Sequence, residues 1–194
     1  MKETFKDYDT QIAVMNRTTT MNDEDITRYI ADLQMQISKD CFPIYDKSAT
    51  LYFHPDKTDP PPTHWKLVIM HTNGEPRRPF GVHKYNEVTN IANGYIFIDH
   101  ILDFGYEISK VMSHELLEMI TNPKRELVSV GGIKYINEIC DPIGSSSYAI
   151  GGTYVSNFVF PTFYGVDTKS PYDFCGLVSS PMTVLEDGIV TSVP

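Results

Sequence analysis

The sequence has little cysteine. Its three cysteines, Cys41, Cys140 and Cys175, are an odd number and lie in unrelated settings along a chain of 194 residues. Proteins that depend on disulfide bonds usually carry an even number of cysteines at close spacing. The chain therefore lacks the pattern of a disulfide framework, and we expect all three thiols to be reduced.

Long hydrophobic runs are also missing. The longest apolar stretches, such as 67–70 and 95–98, are far shorter than the roughly 20 residues that a helix needs to cross a bilayer. The N-terminal stretch 1–7 carries charges of both signs, and no apolar segment follows it. We therefore expect no membrane span, no secretory signal, and synthesis in the cytoplasm.

Basic residues are outnumbered by acidic ones. The chain has 16 Lys and Arg against 25 Asp and Glu, which gives a formal net charge of -9. Proteins that bind nucleic acid neutralise its phosphates with clustered Lys and Arg. The local basic pairs here are Arg77–Arg78 and Lys124–Arg125, so we expect no nucleic-acid partner.

The chain does contain enough apolar residues for one core. Its hydrophobic fraction of 41% is ordinary for a globular protein, and its length suits a single domain over residues 1–194. Apolar positions repeat at helical spacing from Asn22, a plausible N-cap, to Ile37. The other predicted elements are strands at 11–16, 49–53, 65–70 and 94–99, a loop at 71–81, and two hairpins, 126–130 with 133–137 and 147–150 with 153–158, each around a Gly-Gly pair.

The most informative segment is 111–123, which contains His114, Glu115 and Glu118 and ends at Asn-Pro. Its apolar spacing predicts a helix over about residues 106–121. Residues four apart lie on one face of a helix, so His114 and Glu118 could hold one metal ion. The pattern is that of the H-E-x-x-H zinc hydrolases, except that Glu118 stands where the second histidine would be. Without a metal, the three would be ordinary solvated or hydrogen-bonded helix residues.

A third metal ligand is predicted downstream. Glu138 follows Glu118 after nineteen residues, close to the spacing of the carboxylate ligand in gluzincin peptidases, and Asp141 is a second candidate. Which of the two binds is open, because residues three apart point differently on a strand than on a turn. A thiolate ligand at Cys140 is conceivable, but the alternation of the segment favours packing in a core.

The predicted site supports hydrolysis. Glu115 lies about 100° around the helix from His114 and would act as the general base. Zinc is the first choice of metal, with Mn²⁺ or Ca²⁺ open because one histidine with two carboxylates favours zinc less strongly. An oxyanion could be stabilised by a tyrosine, and the candidates are Tyr148, Tyr154 and Tyr164.

The other histidines lie in or beside predicted loops, and we expect their side chains to be solvated. They are His54, His64, His71, His83 and His100. Of these, His71 or His100 could approach the site through folding, which the sequence does not reveal.

The segments 113–123, 138–142 and 154–161 together resemble a family of uncharacterised bacterial and phage proteins with predicted zincin-like character. They resemble more distantly the plant exordium, or phosphate-induced, proteins, which have a similar His-Glu helix and a later Glu-Ile-x-Asp segment. The likeness covers roughly residues 90–165. It implies an α+β zincin-like fold, with a mixed sheet beside an N-terminal helix, an edge strand over a metal-site helix, and a β-rich C-terminal third.

Two hypotheses about function follow. The first is a zinc-dependent metallohydrolase, a peptidase acting on protein or on the peptides of peptidoglycan. The second is a non-catalytic structural or interaction protein, such as a phage virion component that binds other virion proteins and keeps the acidic cluster as a metal staple or a polar network.

Overall fold

The structure is a computed structural model that describes residues 10–55, 58–72, 79–166 and 168–194. The N-terminal stretch on which the expected lack of a secretory signal rests lies outside these residues, as does the basic pair Arg77–Arg78. No helix in the described part of the chain is long and apolar enough to cross a bilayer.

A five-stranded mixed sheet forms the centre of the fold, in the order β2-β1-β3-β5-β4. Its strands are β1 (Gln11–Asn16), β2 (Thr50–His54), β3 (Trp65–Met70), β4 (Gly81–Asn86) and β5 (Ile91–Phe97). Strands β1, β2, β3 and β5 run parallel, and the edge strand β4 pairs antiparallel with β5. The chain is therefore an α+β protein with a mixed sheet, as expected.

In the described part of the chain the sheet is accompanied by four α-helices, α1 (Asp23–Met35), α2 (Phe42–Tyr45), α3 (Ile98–Asp103) and α4 (Ile108–Thr121), with a π-helical segment at Gln36–Cys41 between α1 and α2. The predicted N-cap of α1 is confirmed, because Asn22 Oδ1 accepts a hydrogen bond from the Asp25 backbone N–H at 2.7 Å. One continuous apolar core joins Ile12 of β1, Leu33 of α1 and Leu116 of α4. This core holds the sheet and the two long helices together.

The sequence misplaced the bounds of β5 and did not predict β4, and both strands lie beside α4. The strand expected at 94–99 instead ends at Phe97, and α3 begins at Ile98. In the first turn of α3, Asp99 accepts hydrogen bonds from the backbone N–H and the hydroxyl of Thr72, which stabilises this helical turn. The loop expected at 71–81 ends where β4 begins, and its residues 73–78 lie outside the described part of the chain.

Helix α4 lies very close to the sheet because β5 has a glycine beneath it. A Cβ atom at Gly94 would lie 2.6 Å from Met119 Sδ and 2.7 Å from Leu67 Cδ1. Gly81 of β4 has the same relation to α4, since a Cβ there would lie 2.6 Å from Glu115 Cγ. These two glycines let α4 approach both strands more closely than larger residues would allow.

After α4 the chain forms short hairpins and irregular segments. The strands are β6 (Leu127–Val130), β7 (Ile133–Ile136), β8 (Ser147–Ile150), β9 (Thr153–Ser156) and β10 (Ser192–Val193). Both predicted hairpins are confirmed, with β6 paired to β7 and β8 paired to β9. At the first turn, Gly131 and Gly132 have φ of 58° and 84°, a conformation that favours glycine.

Asn122 joins the end of α4 to the first hairpin. Its Nδ2 donates to the carbonyl oxygens of Glu126 at 3.0 Å and Asn137 at 2.8 Å. Its Oδ1 accepts from the Glu126 backbone N–H at 2.8 Å. The hairpin is therefore fixed against the helix, and the segment that follows β7 returns to the side chains of α4.

Candidate metal centre

Helix α4 presents His114, Glu115 and Glu118 to one cavity. Both glutamates are buried, and His114 is partly exposed. The cavity has a volume of about 390 Å³ and is lined by all three side chains, together with Lys110 and Arg125. The three residues identified from the sequence are therefore brought together in a pocket, and they are not ordinary solvated helix residues.

His114 lies between two carboxylates. Its Nε2 is 3.4 Å from Glu118 Oε1 and 3.4 Å from Asp141 Oδ1. Ligand atoms bound to zinc at about 2.1 Å with tetrahedral angles are separated by about 3.4 Å. His114 is therefore at a distance from each carboxylate that two ligands of one zinc ion would have, and imidazole and carboxylate are donor types that zinc accepts.

Glu118 also holds the segment after β7 in position. Its Oε1 accepts a hydrogen bond from the backbone N–H of Cys140 at 3.1 Å. Ligand atoms of His114, Glu118 and Cys140 lie within 4.8 Å of one another, so the thiol is near enough to join a metal site. Burial, followed by the charge of Glu118, raises the pKa of Cys140 well above the ordinary value. The side chain is thus a buried thiol, and all three cysteines are free, as expected.

The structure separates the two candidates for the third ligand. Asp141 faces His114, whereas Glu138 is held by Arg125, whose Nε and Nη2 donate to Oε1 and Oε2 at 2.8 and 3.1 Å. Burial and the charges of Glu118 and Asp141 raise the pKa of Glu138 to about 7, against the opposing effect of Arg125. The two carboxylates therefore occupy different parts of the cavity.

Six titratable side chains that line the cavity form what we call the cluster: His83, His114, Glu115, Glu118, Glu138 and Asp141. The sequence did not predict that His83 would be one of them. We expected it to be a solvated loop residue, but it is buried on β4 and lines the cavity. Its Nδ1 lies 3.3 Å from Glu115 Oε2 and 3.9 Å from Glu118 Oε2, and its Nε2 lies 3.9 Å from Glu138 Oε1. The reason is tertiary: pairing of β4 with β5 sets His83 opposite Gly94, beneath α4.

One sequence signal could have revealed His83. Along β4, His83 and Tyr85 alternate with the exposed Lys84 and Asn86, which is the period of a strand with one inward face. The alternation covers few residues and includes few apolar side chains, so it predicts a strand only weakly.

The protonation of the cluster reflects its excess of carboxylates. Burial would lower the pKa of His114, but Glu118 and Asp141 outweigh that effect and raise it well above the usual value. Burial would also lower the pKa of His83, yet Glu115 and Glu118 raise it overall. Burial raises the pKa of Glu115. In the absence of a metal, the cluster therefore holds protons tightly.

The three candidate tyrosines do not line the cavity in the described part of the chain. Tyr164 donates to the carbonyl oxygen of Glu138 at 3.1 Å and so supports the backbone at that residue. Tyr148 donates to Asp40 at 2.7 Å, and Tyr154 is half exposed on β9.

The two histidines that could have approached the site lie elsewhere. His71 is within hydrogen-bond distance of Thr20, and His100 is on α3. Neither is among the described residues that line the cavity. His83 is therefore the second histidine of the cluster.

Comparison of the chain with protein families, with curated proteins and with solved structures found no match of any of these kinds. The functional argument therefore depends on the geometry of the cluster.

Proposed function

We propose that the protein is a zinc-dependent hydrolase with a zincin-like fold, and that His114, Glu118 and Asp141 hold the metal. The observation that carries the proposal is the pair of 3.4 Å distances from His114 Nε2 to the two carboxylates. The antiparallel edge strand β4 beside α4 supports the zincin-like assignment, because the family resemblance implies this arrangement. The choice of a peptide as substrate rests on the same resemblance.

The roles of the residues follow from their chemistry. A bound zinc ion supplies Lewis acidity toward water and toward a substrate carbonyl group. His114 contributes a neutral imidazole nitrogen, and Glu118 and Asp141 contribute carboxylate oxygens. The buried Glu115, whose pKa is raised, is a stronger base than a solvated glutamate and accepts the proton of water before passing it to the leaving amine.

The metal content of the purified protein tests the first half of the proposal. We expect the wild type to contain at least about one zinc ion per chain, measured by inductively coupled plasma mass spectrometry. His114→Ala should contain fewer zinc ions per chain than the wild type. The matched control is His54→Ala, because His54 is on β2, at the opposite edge of the sheet from β4. Equal zinc in wild type and His114→Ala would refute the site.

Catalysis needs a second test. Glu115→Gln keeps the size of the side chain but removes its basicity, so this variant should retain zinc and lose peptide cleavage. Cleavage can be followed by mass spectrometry of a mixed peptide library and of peptidoglycan stem peptides. Cleavage at the wild-type rate by Glu115→Gln would exclude Glu115 as the base.

The non-catalytic alternative has one observation in its favour. Several charged groups of the cluster already pair with one another, as Arg125 does with Glu138 and His83 with Glu115. A buried polar network of this kind can exist without catalysis and contribute to structural specificity. A protein that binds no metal after incubation with zinc, Mn²⁺ or Ca²⁺ would favour a structural or interaction role, such as that of a virion component.

A further inference from the structure

His83 Nε2 is a buried polar atom without a hydrogen-bond partner among the described residues. The side chain is 3% exposed and lines the cavity. Leaving such an atom unsatisfied costs about 1–3 kcal/mol, so native proteins rarely retain one without a reason. The zinc site proposed above leaves this nitrogen unexplained.

The opposite nitrogen of the ring determines what Nε2 can do. The carboxylate of Glu115 can only accept a hydrogen bond, so Nδ1–H of His83 donates to it over 3.3 Å. When a cation displaces any proton on this nitrogen, Nε2 of the neutral ring has a lone pair 3.9 Å from the carboxylate atom Glu138 Oε1. Histidines that bind metals are commonly oriented by such a carboxylate at the other nitrogen. Two electron-rich atoms in this relation suit a cation between them.

Glu118 lies between the pair His83 and Glu138 and the proposed zinc site at His114. Its Oε1 lies 3.4 Å from His114 Nε2, and its Oε2 lies 3.9 Å from His83 Nδ1. One ligand atom each from His83, Glu118 and Glu138 lie within 4.8 Å of one another. The carboxylate of Glu118 thus lies beside both histidine rings.

We propose that the cavity binds a second divalent metal ion, held by His83 Nε2 and Glu138, with Glu118 bridging it to the ion at His114 and Asp141. The inference rests on the proposed zinc site and extends it to a two-metal centre. Five carboxylates line the cavity, on Glu115, Glu118, Glu138, Asp141 and Asp187, against the two cationic side chains of Lys110 and Arg125, so the lining has an excess of negative charge that favours bound cations. Arg125 orients Glu138 through two hydrogen bonds that leave other lone pairs of its oxygens available.

Zinc stoichiometry tests the second ion separately from the first. The metal-free protein is dialysed against zinc, and the bound zinc is counted by inductively coupled plasma mass spectrometry. We expect two ions per chain in the wild type and in His54→Ala, and one in His83→Phe, which keeps a ring but has no nitrogen. Glu138→Gln should also bind one ion, and it serves as an independent variant if circular dichroism shows that His83→Phe does not fold.

The outcomes separate the two proposals. One ion in the wild type, retained in Glu138→Gln and lost in His114→Ala, would overturn the second ion and leave the zinc site intact. Two ions in Glu138→Gln and in folded His83→Phe would also overturn the inference, because the second ion would then bind elsewhere. No bound zinc in the wild type would overturn both.

A spectroscopic measurement tests whether Glu118 bridges the two ions. Two Mn²⁺ ions that share a carboxylate interact magnetically, so electron paramagnetic resonance of the Mn²⁺-loaded wild type should show a coupled spectrum. Glu138→Gln should show the simple six-line signal of an isolated ion. A six-line signal in wild-type protein that contains two Mn²⁺ ions would exclude the bridge through Glu118.

Discussion

The metal-free protein should lose stability as the pH rises, and Glu138 should account for a measurable part of the loss. Burial and neighbouring carboxylates raise the pKa of Glu138 from 4.5 to about 7 in the folded chain. A carboxyl group with a raised pKa binds its proton more tightly in the folded state, so its stabilising effect is complete below pH 4.5 and disappears as pH rises through about 7.

The magnitude follows from the size of the shift. Each pKa unit corresponds to 1.36 kcal/mol, so the change at Glu138 amounts to about 3 kcal/mol between these pH limits. The raised pKa values of His83 and His114 act in the same direction, because their contribution is present below their usual pKa of 6.5 and is lost at higher pH. The entire cluster therefore favours the folded state at low pH when no metal is bound.

The assay is urea denaturation with a chelator present, at about pH 5 and about pH 8. The wild type should lose free energy of unfolding over this range, and Glu138→Gln should lose about 2–3 kcal/mol less because its amide does not titrate. Glu87→Gln, at an exposed position just beyond β4, is the matched control and should behave like the wild type. Identical pH dependence in Glu138→Gln and the wild type would refute this account of the cluster.

Three further predictions concern how the site is assembled. Asn122→Ala removes three hydrogen bonds between α4 and the first hairpin, and should lower the free energy of unfolding by about 1–3 kcal/mol in urea denaturation; Lys84→Ala, at an exposed position on β4, should not. Gly94→Ala places a methyl group against Met119 and should cost about 1–3 kcal/mol by overpacking, so a neutral result would mean that α4 is farther from β5. Saturating zinc should raise the melting temperature of the wild type more than that of His114→Ala, and an equal rise in both would contradict the site.

Local sequence determined much of the framework. The spacing of apolar residues and the Asn-Pro stop predicted the helix that carries His114, Glu115 and Glu118, and α4 extends over Ile108–Thr121. The Gly-Gly pairs predicted both hairpins, because consecutive positive φ angles are a local requirement that glycine meets. These features depend on residues that are neighbours in sequence, so one amino-acid sequence is sufficient to predict them.

Only the tertiary structure decided which other side chains reach the helix. His83 enters the cluster because β4 pairs with β5, and nothing local to β4 requires that pairing. Asp141 and Glu138 are three residues apart but face different groups, because Arg125 holds one carboxylate and the other meets His114. Long-range pairing and the orientation of individual side chains set these distances, whereas sequence spacing sets only which residues share an element.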